Sequence, residues 1–293
     1  MYYFIERRKD ILTNRKVLPT YLAANLPIAN IGKVDNKGYE LSVNWRDRIH
    51  DFRYHIGFNL AYAKNKIVFQ DEVPYPYDYM RKTGKPVGQQ MGYKYDGFFS
   101  EEDVAKYETE RGKSIPDHGT GYIPKPGDVK YKDISGPDGV PDGVIDDYDK
   151  TNIGSPMPKF TFGWTNTFRY KNFDLSVFIN GSYGNKVYNY LSMKLTHMNS
   201  PWTNQLNAVN GRAQLVPINP NKVYEDGTMW YNDVSNVMVA NPGASIPRAT
   251  INDPNDNDRI SDRYIEDGSY IRLKNISLGY TFPKKTIDKL GLS

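Results

Sequence analysis

Residues Phe160 to Tyr183, reading FTFGWTNTFRYKNFDLSVFINGSY, constrain this chain more tightly than any other stretch. In the first half, Phe160, Phe162, Trp164, Phe168 and Tyr170 share one parity. Thr161, Gly163, Thr165, Thr167 and Arg169 share the other. In the second half the parity reverses, with Phe173, Leu175, Val177, Ile179 and Tyr183 set against Asp174, Ser176, Asn180 and Ser182. Period-two alternation is the signature of a strand with two unlike faces. A two-residue turn at Lys171-Asn172 accounts for the reversal. It predicts Tyr170 opposite Phe173, Phe168 opposite Leu175 and Trp164 opposite Ile179, with Arg169 facing Asp174 and Thr167 facing Ser176. Directly opposed residues share a face, so one register sorts both faces at once. Asn172 tolerates the positive φ that such a turn demands.

Each run is about 11 residues, which at ~3.3 Å per residue and a tilt near 45° spans roughly 25 Å. Aromatic residues flank the aliphatic band at both ends, as in an outer-membrane barrel strand. A soluble β-sandwich also alternates, but its strands are usually shorter. Mean hydropathy is −0.68, and no run approaches the ~18 apolar residues of a membrane-spanning helix. Alternation hides a barrel from averaged hydropathy, so this does not argue against one.

Two further runs repeat the design. Tyr39, Leu41, Val43 and Trp45 alternate with Glu40, Ser42, Asn44 and Arg46. Phe52, Tyr54, Ile56, Phe58, Leu60 and Tyr62 follow on one parity. Pairing Trp45 with Phe52 puts Arg46 opposite Asp51 and leaves a short turn around Arg48-Ile49. Tyr2 to Arg7 reads as the end of a strand, and 9–37, which contains Pro19 and Pro27, as a loop. The clear strands thus cover 39–46, 52–62, 160–170, 173–183 and 264–282, the last carrying Ile276, Leu278, Tyr280 and Phe282. Between them, 64–157 and 184–262 read as long loops rich in Pro and Asn. Within the first, Ser100-Glu101-Glu102-Asp103 has the form of a helix start and Gly112 that of a stop.

Connections therefore alternate between very short and very long. Short turns on one side and long loops on the other suit an outer-membrane barrel, whereas a compact soluble domain rarely carries two such loops. The 24 Tyr, 12 Phe and 4 Trp suit membrane interfaces or sugar stacking. A formal charge of +4 with no basic cluster gives nucleic acid no footprint. With no cysteine there is neither a disulfide framework nor a thiolate metal site.

Four blocks resemble the C-terminal barrel region of SusC/RagA-type TonB-dependent outer-membrane transporters. They are the segment from Gly127 to Asn185, SDRYIEDGSYIRLKNISLGYTFP from Ser261 to Pro283, NIGKVDNKGYELSVNW from Asn30 to Trp45, and GYKYDGFFS from Gly92 to Ser100. The resemblance implies an all-β fold, part of a large antiparallel transmembrane β-barrel of about 22 strands with long extracellular loops. It implies an outer-membrane location, contact with the lipid bilayer, import of glycans or peptides, a SusD-like surface lipoprotein partner, and energy from TonB through an N-terminal region. About six strands cannot close a barrel, so the chain is expected to be an internal or C-terminal fragment. The family would continue beyond Gly291-Leu292-Ser293. The competing reading is a soluble carbohydrate-binding β-sandwich with structural calcium.

Asp138, Asp142, Asp146 and Asp149 occupy positions 1, 5, 9 and 12 of a calcium-loop pattern, with Gly143 at 6. Position 3 is Val140, which offers no side-chain oxygen. Relatives tend to read D-x-N-x-D-G, so Gly136-Pro137 looks like an insertion, and Asp133 and Ser135 become substitute ligands. A solvated acidic turn is the alternative. His50, His55, His118 and His197 lack ligand spacing. Glu40 sits on a polar strand face, suited to a wet lumen, and Glu266-Asp267 resembles a structural part of the family motif rather than a glycosidase pair. No Ser-His-Asp or phosphate-loop pattern occurs, so an enzyme is not expected. Trp202, Trp230, Tyr183 and Tyr188 are candidates for stacking on sugars.

Overall fold

The computed structural model describes residues 1–14, 28–199, 202–289 and 291. Six long strands form one antiparallel sheet: β1 (Tyr2–Asn14), β2 (Ile28–Ile49), β3 (Phe52–Phe69), β4 (Phe160–Tyr170), β5 (Phe173–Tyr183) and β6 (Tyr270–Tyr280). They lie in sequence order, β1-β2-β3-β4-β5-β6, as in an up-and-down barrel wall. Part of the loop expected over 9–37 is strand in β1 and β2. The remainder, 15–27 with Pro19 and Pro27, falls outside the described residues, as do Leu292 and Ser293.

The β4–β5 hairpin has the predicted register, with Tyr170 facing Phe173, Trp164 facing Ile179 and Arg169 facing Asp174. The positive φ, however, falls on Lys171 at +50° rather than on Asn172. The β2–β3 hairpin corrects the expected register. Ile49 pairs with Phe52 and Trp45 with Ile56, and the turn lies at His50-Asp51, where His50 takes φ +55°. The slip is even, so both faces survive it. It adds a further pair on which Tyr54 sits opposite Asp47, and the Trp45 indole N–H points to the Tyr54 hydroxyl at 3.3 Å.

The strand expected over 264–282 is also two elements. Ile265–Asp267 pairs with Lys186–Tyr188, outside the large sheet, and β6 begins after Gly268-Ser269. Within β6 a bulge between Leu273 and Asn275 moves the apolar face from Ile271 and Leu273 to Ile276, Leu278 and Tyr280.

Two aromatic rows cross the sheet. Tyr39, Tyr62, Phe160 and Tyr183 lie in register at the long-loop end, with Tyr39–Tyr62 and Phe160–Tyr183 centroids 5.0 and 5.1 Å apart. Phe52, Tyr170, Phe173 and Tyr280 do the same at the turn end. Between them the apolar face carries Val43, Phe58, Leu60, Leu175, Val177 and Ile179. Nothing among the described residues covers this face: Trp164 is 43% exposed and Leu278 73%. The opposite face carries Thr167, Ser176, His55 and Asn44, with the His55 ring 3.3 Å from the Asn44 amide oxygen. Among the described residues the other sheets have only two strands each, so the sandwich reading has no structural counterpart there.

The buried apolar residues lie elsewhere. Among the described residues, every fully buried large hydrophobic belongs to the connections after β3 and β5. Tyr93, Val129, Tyr131 and Ile145 form one cluster, and Phe99, Val104, Tyr107 and Ile115 a second. Helix α1 (Glu101–Glu110) positions the second. Ser100 accepts the Asp103 amide and Asp103 accepts the Ser100 amide, a capping box where the sequence placed the start. After the helix, Gly112 and Gly143 pack backbone to backbone at φ +74° and +85°, so a side chain on Gly143 would strike Gly112. The segments read as loops are thus a folded body at one end of the sheet.

Candidate ligand-binding clefts in the folded loops

The four candidate aspartates lie in one turn but do not form a cage. Asp138 and Asp142 are exposed, Asp146 is half-buried and Asp149 is buried. Asp149 Oδ1 accepts the amides of Ile134 and Ser135 at 2.7 and 3.2 Å, and its Oδ2 accepts the Asp146 amide at 2.8 Å. Asp146 in turn caps Tyr148 at 2.7 Å. Asp133 Oδ2 accepts the Gly143 amide at 2.6 Å, while its Oδ1 is buried without a partner. No three of these carboxylates approach within ion-holding distance of one another.

The structure instead gathers a group whose members lie far apart in sequence. His197 Nε2 lies 3.0 Å from Asp253 Oδ2 and its Nδ1 lies 3.1 Å from Asp258 Oδ2. The three could meet around a metal ion, but each ring nitrogen already faces a carboxylate, which suits an imidazolium better than a ligand lone pair. Burial pulls the His197 pKa down, and the two carboxylates more than offset it, raising it to about 9. His118 shows the contrast: buried against Phe99 and Tyr131 near Arg259, it is held neutral, its pKa pushed down to about 3.

The segment after His197's partner Asp253 anchors the body. Asn257 Oδ1 accepts the Val129 amide at 2.6 Å and Asn255 Nδ2 donates to the Val129 carbonyl at 3.0 Å. Two side-chain amides thereby satisfy a buried backbone unit that has no ladder partner on that side. Asp128, fully buried, holds Arg248 Nε at 2.7 Å and accepts the Lys125 amide at 2.8 Å.

Two clefts open beside this framework. The first, about 710 Å³, is walled by Tyr122, Lys125, Arg212, Gln214, Tyr231 and Arg248 among others. Pairing of Leu215–Pro217 with Val237–Val239, and an Ala213 amide bond to the Ile246 carbonyl at 2.9 Å, set its floor. The second, about 620 Å³, is walled by Tyr77, Tyr79, Tyr93, Asp147, Lys150 and Arg259 among others. There the charges are internally matched: Lys150 Nζ lies 2.6 Å from Asp147 Oδ1, and the Tyr79 hydroxyl donates to Asp147 Oδ2 at 3.2 Å.

The sugar-stacking candidates scatter. Tyr183 belongs to the aromatic row of the sheet, and the Tyr188 hydroxyl rests on Met193 at 3.0 Å. Trp230 packs edge-on against Tyr231 at 5.7 Å, bordering the first cleft, and Trp202 is 91% exposed. Sequence reading missed both clefts, because each is assembled from segments that carry no periodic signal.

A strand wall with one bare apolar face between aromatic rows, one polar face and folded loops at one end defines a segment of an outer-membrane β-barrel. Comparison with known proteins gives the family. The chain is 31% identical over 306 residues to TonB-dependent receptor P3 of Formosa agariphila, covering 99% of this chain and 26% of that protein. It is 25% identical to TonB-dependent receptor SusC of Bacteroides thetaiotaomicron, covering 94% of this chain and 23% of that protein. Structures of the RagAB peptide transporter and of the RagAB peptide importer in its open-open state superpose with TM-scores of 0.57 and 0.58. Both are 15% identical, cover 97% of this chain and are themselves covered to 27% and 26%. No family model matches. The relatives that match nearly the full chain are TonB-dependent receptors, SusC among them, and the chain spans about a quarter of the length of the curated relatives it matches.

Proposed function

We propose that the receptor carrying this segment imports a nutrient, a glycan or a peptide, across the outer membrane with energy from TonB. The observation that carries this reading is the bare apolar face of the six-stranded sheet, flanked by its aromatic rows and joined to a folded loop body. Lipid is the solvent such a face requires, and the loop body then stands outside the cell over the lumen. A SusD-like surface lipoprotein is the proposed partner. Exposed apolar residues on the loop body, among them Val223 and Ile251 at 82% and 85%, supply surface for such a lid.

The acidic turn is proposed as a weak calcium site. Asp133 Oδ1 supplies an unpartnered donor and Asp138, Asp142 and Asp146 the remaining carboxylates, while Asp149 holds the turn through amides.

Uptake is tested by deleting the gene for the full receptor and following growth on fractionated glycans and peptides. The deletion should abolish growth on one nutrient class, and depleting TonB should have the same effect. Unchanged growth on every nutrient, with the receptor present in the parental outer membrane, would count against import.

A further inference from the structure

The two clefts differ in charge balance, and the difference bears on what the receptor recognises. In the second cleft Asp147 neutralises Lys150. The first has three cations, Lys125, Arg212 and Arg248, and no carboxylate among its lining residues. Asp128, behind the wall, is committed to Arg248. Lys125 and Arg212 then have no acidic partner among the described residues. Lys125 is buried at 8% exposure. Its ammonium donates to the Asn232 side-chain oxygen at 2.8 Å and lies 5.1 and 5.9 Å from the Tyr231 and Tyr122 ring centroids. Burial and the nearby Arg248 hold it below the ordinary lysine range, with Asp128 opposing them. Among the described residues the Arg212 guanidinium donates only to the Val209 carbonyl, at 3.3 Å. A buried ammonium without a counter-charge is costly unless an anion completes the site.

We infer that this cleft binds an anionic group, a carboxylate or a sulfate, carried on a glycan. Resting on the uptake reading above, the assignment narrows its cargo to acidic saccharides. The walls favour a sugar over a peptide as the carrier. Tyr231 offers a partly exposed ring, and Gln214, Asn232 and Thr250 offer amide and hydroxyl groups that match vicinal sugar hydroxyls. The cleft volume of about 710 Å³ accommodates an oligosaccharide end rather than a single ion.

The test uses the full-length receptor in detergent and four probes measured by calorimetry: tetragalacturonate, a sulfated chondroitin disaccharide, maltotetraose and tetraglutamate. At least one acidic saccharide should bind, and raising salt from 50 to 500 mM should weaken it severalfold. Arg212→Gln and Lys125→Gln should each weaken it about tenfold. Arg212 is half-buried and its guanidinium has a single hydrogen-bond partner among the described residues, so its variant remains informative where Lys125→Gln misfolds. Which acidic saccharide binds separates carboxylate from sulfate. Equal binding of maltotetraose, binding of tetraglutamate alone, no binding of any probe, or acid binding untouched by both variants overturns the assignment. Uptake assayed in the same strains keeps the readings apart: TonB-dependent growth without acid binding sinks only the cleft.

Discussion

The sheet and the loop body solve opposite problems with the same alphabet. The sheet has rich alternation, long strands and no buried core: Val43, Trp164 and Leu278 remain exposed on a face that nothing among the described residues covers. The loop body has poor alternation, strands of three or four residues and all of the fully buried large hydrophobics among the described residues. The sheet is stable only where lipid replaces water on one face and neighbouring strands complete its edges. The body carries its own core and its own buried hydrogen bonds. Secondary-structure regularity and burial are therefore inversely related here, because the solvent of the two regions differs.

The largest expected effect breaks the two apart. Expressed without the rest of a barrel, the 293-residue chain leaves β1 and β6 with unpaired edges, each bare backbone group costing several kcal/mol in hydrocarbon. It should aggregate or demand detergent, and should fail to restore uptake in a strain lacking the receptor. A soluble monomer with a cooperative melt would refute the membrane assignment of the sheet.

Within the complete receptor the two regions should respond to different substitutions. Tyr131→Ala removes a fully buried ring whose hydroxyl donates to the Asp256 and Asn257 carbonyls, and should cost the body about 3–5 kcal/mol. Limited proteolysis should then cut the loops while the barrel keeps its heat-modifiable mobility on gels. Ile179→Arg, at mid-membrane depth, should cost the barrel about 2–4 kcal/mol, and Thr167→Arg on the lumen face little. Equal costs at Ile179 and Thr167 would mean that the two faces do not meet different solvents.

How far each region was legible follows from the same contrast. Period two made the sheet readable, down to the pairing of Trp164 with Ile179. The errors were in length and register. Asp47 interrupts the apolar parity and so points to too early a β2–β3 turn, although the strand continues to Ile49. The bulge in β6 has a sequence signal, the shift of apolar parity from Leu273 to Ile276. The body was illegible because its contacts are single residues at long separation: Asn257 meets Val129 across 128 positions. The candidate aspartates are visible as spacing, but that Asp149 accepts three amides is visible only in the fold. His197, without ligand spacing of its own, finds Asp253 and Asp258 only through the fold.

That histidine gives the body a pH dependence the sheet should lack. Its pKa is raised from 6.5 to about 9 in the fold, so the protonated form is the one the native state favours. The stabilisation is fully present below pH ~6.5 and is lost as pH rises through about 9. Protease resistance of the loops should therefore fall between pH 7 and 10, and His197→Gln should flatten that profile. Loss of resistance on acidification instead would assign the effect to carboxylates.

Calcium should have the smallest effect, and it probes whether the acidic turn belongs to the self-sufficient body. With Asp149 committed to three amides, an ion has Asp133, Asp138, Asp142 and Asp146 to draw on, and these do not converge without it. Drawing them together costs loop ordering, which sets the affinity near the ~10⁻⁴–10⁻³ M of extracellular sites. Ligand at a concentration equal to its dissociation constant stabilises a fold by about 0.4 kcal/mol. Millimolar calcium should thus give a weak heat on the full receptor and a slight slowing of cleavage within 133–150, both lost in Asp133→Asn. If chelator and calcium leave cleavage and heat alike, the turn stands on its amides alone, as self-sufficient as the cores beside it.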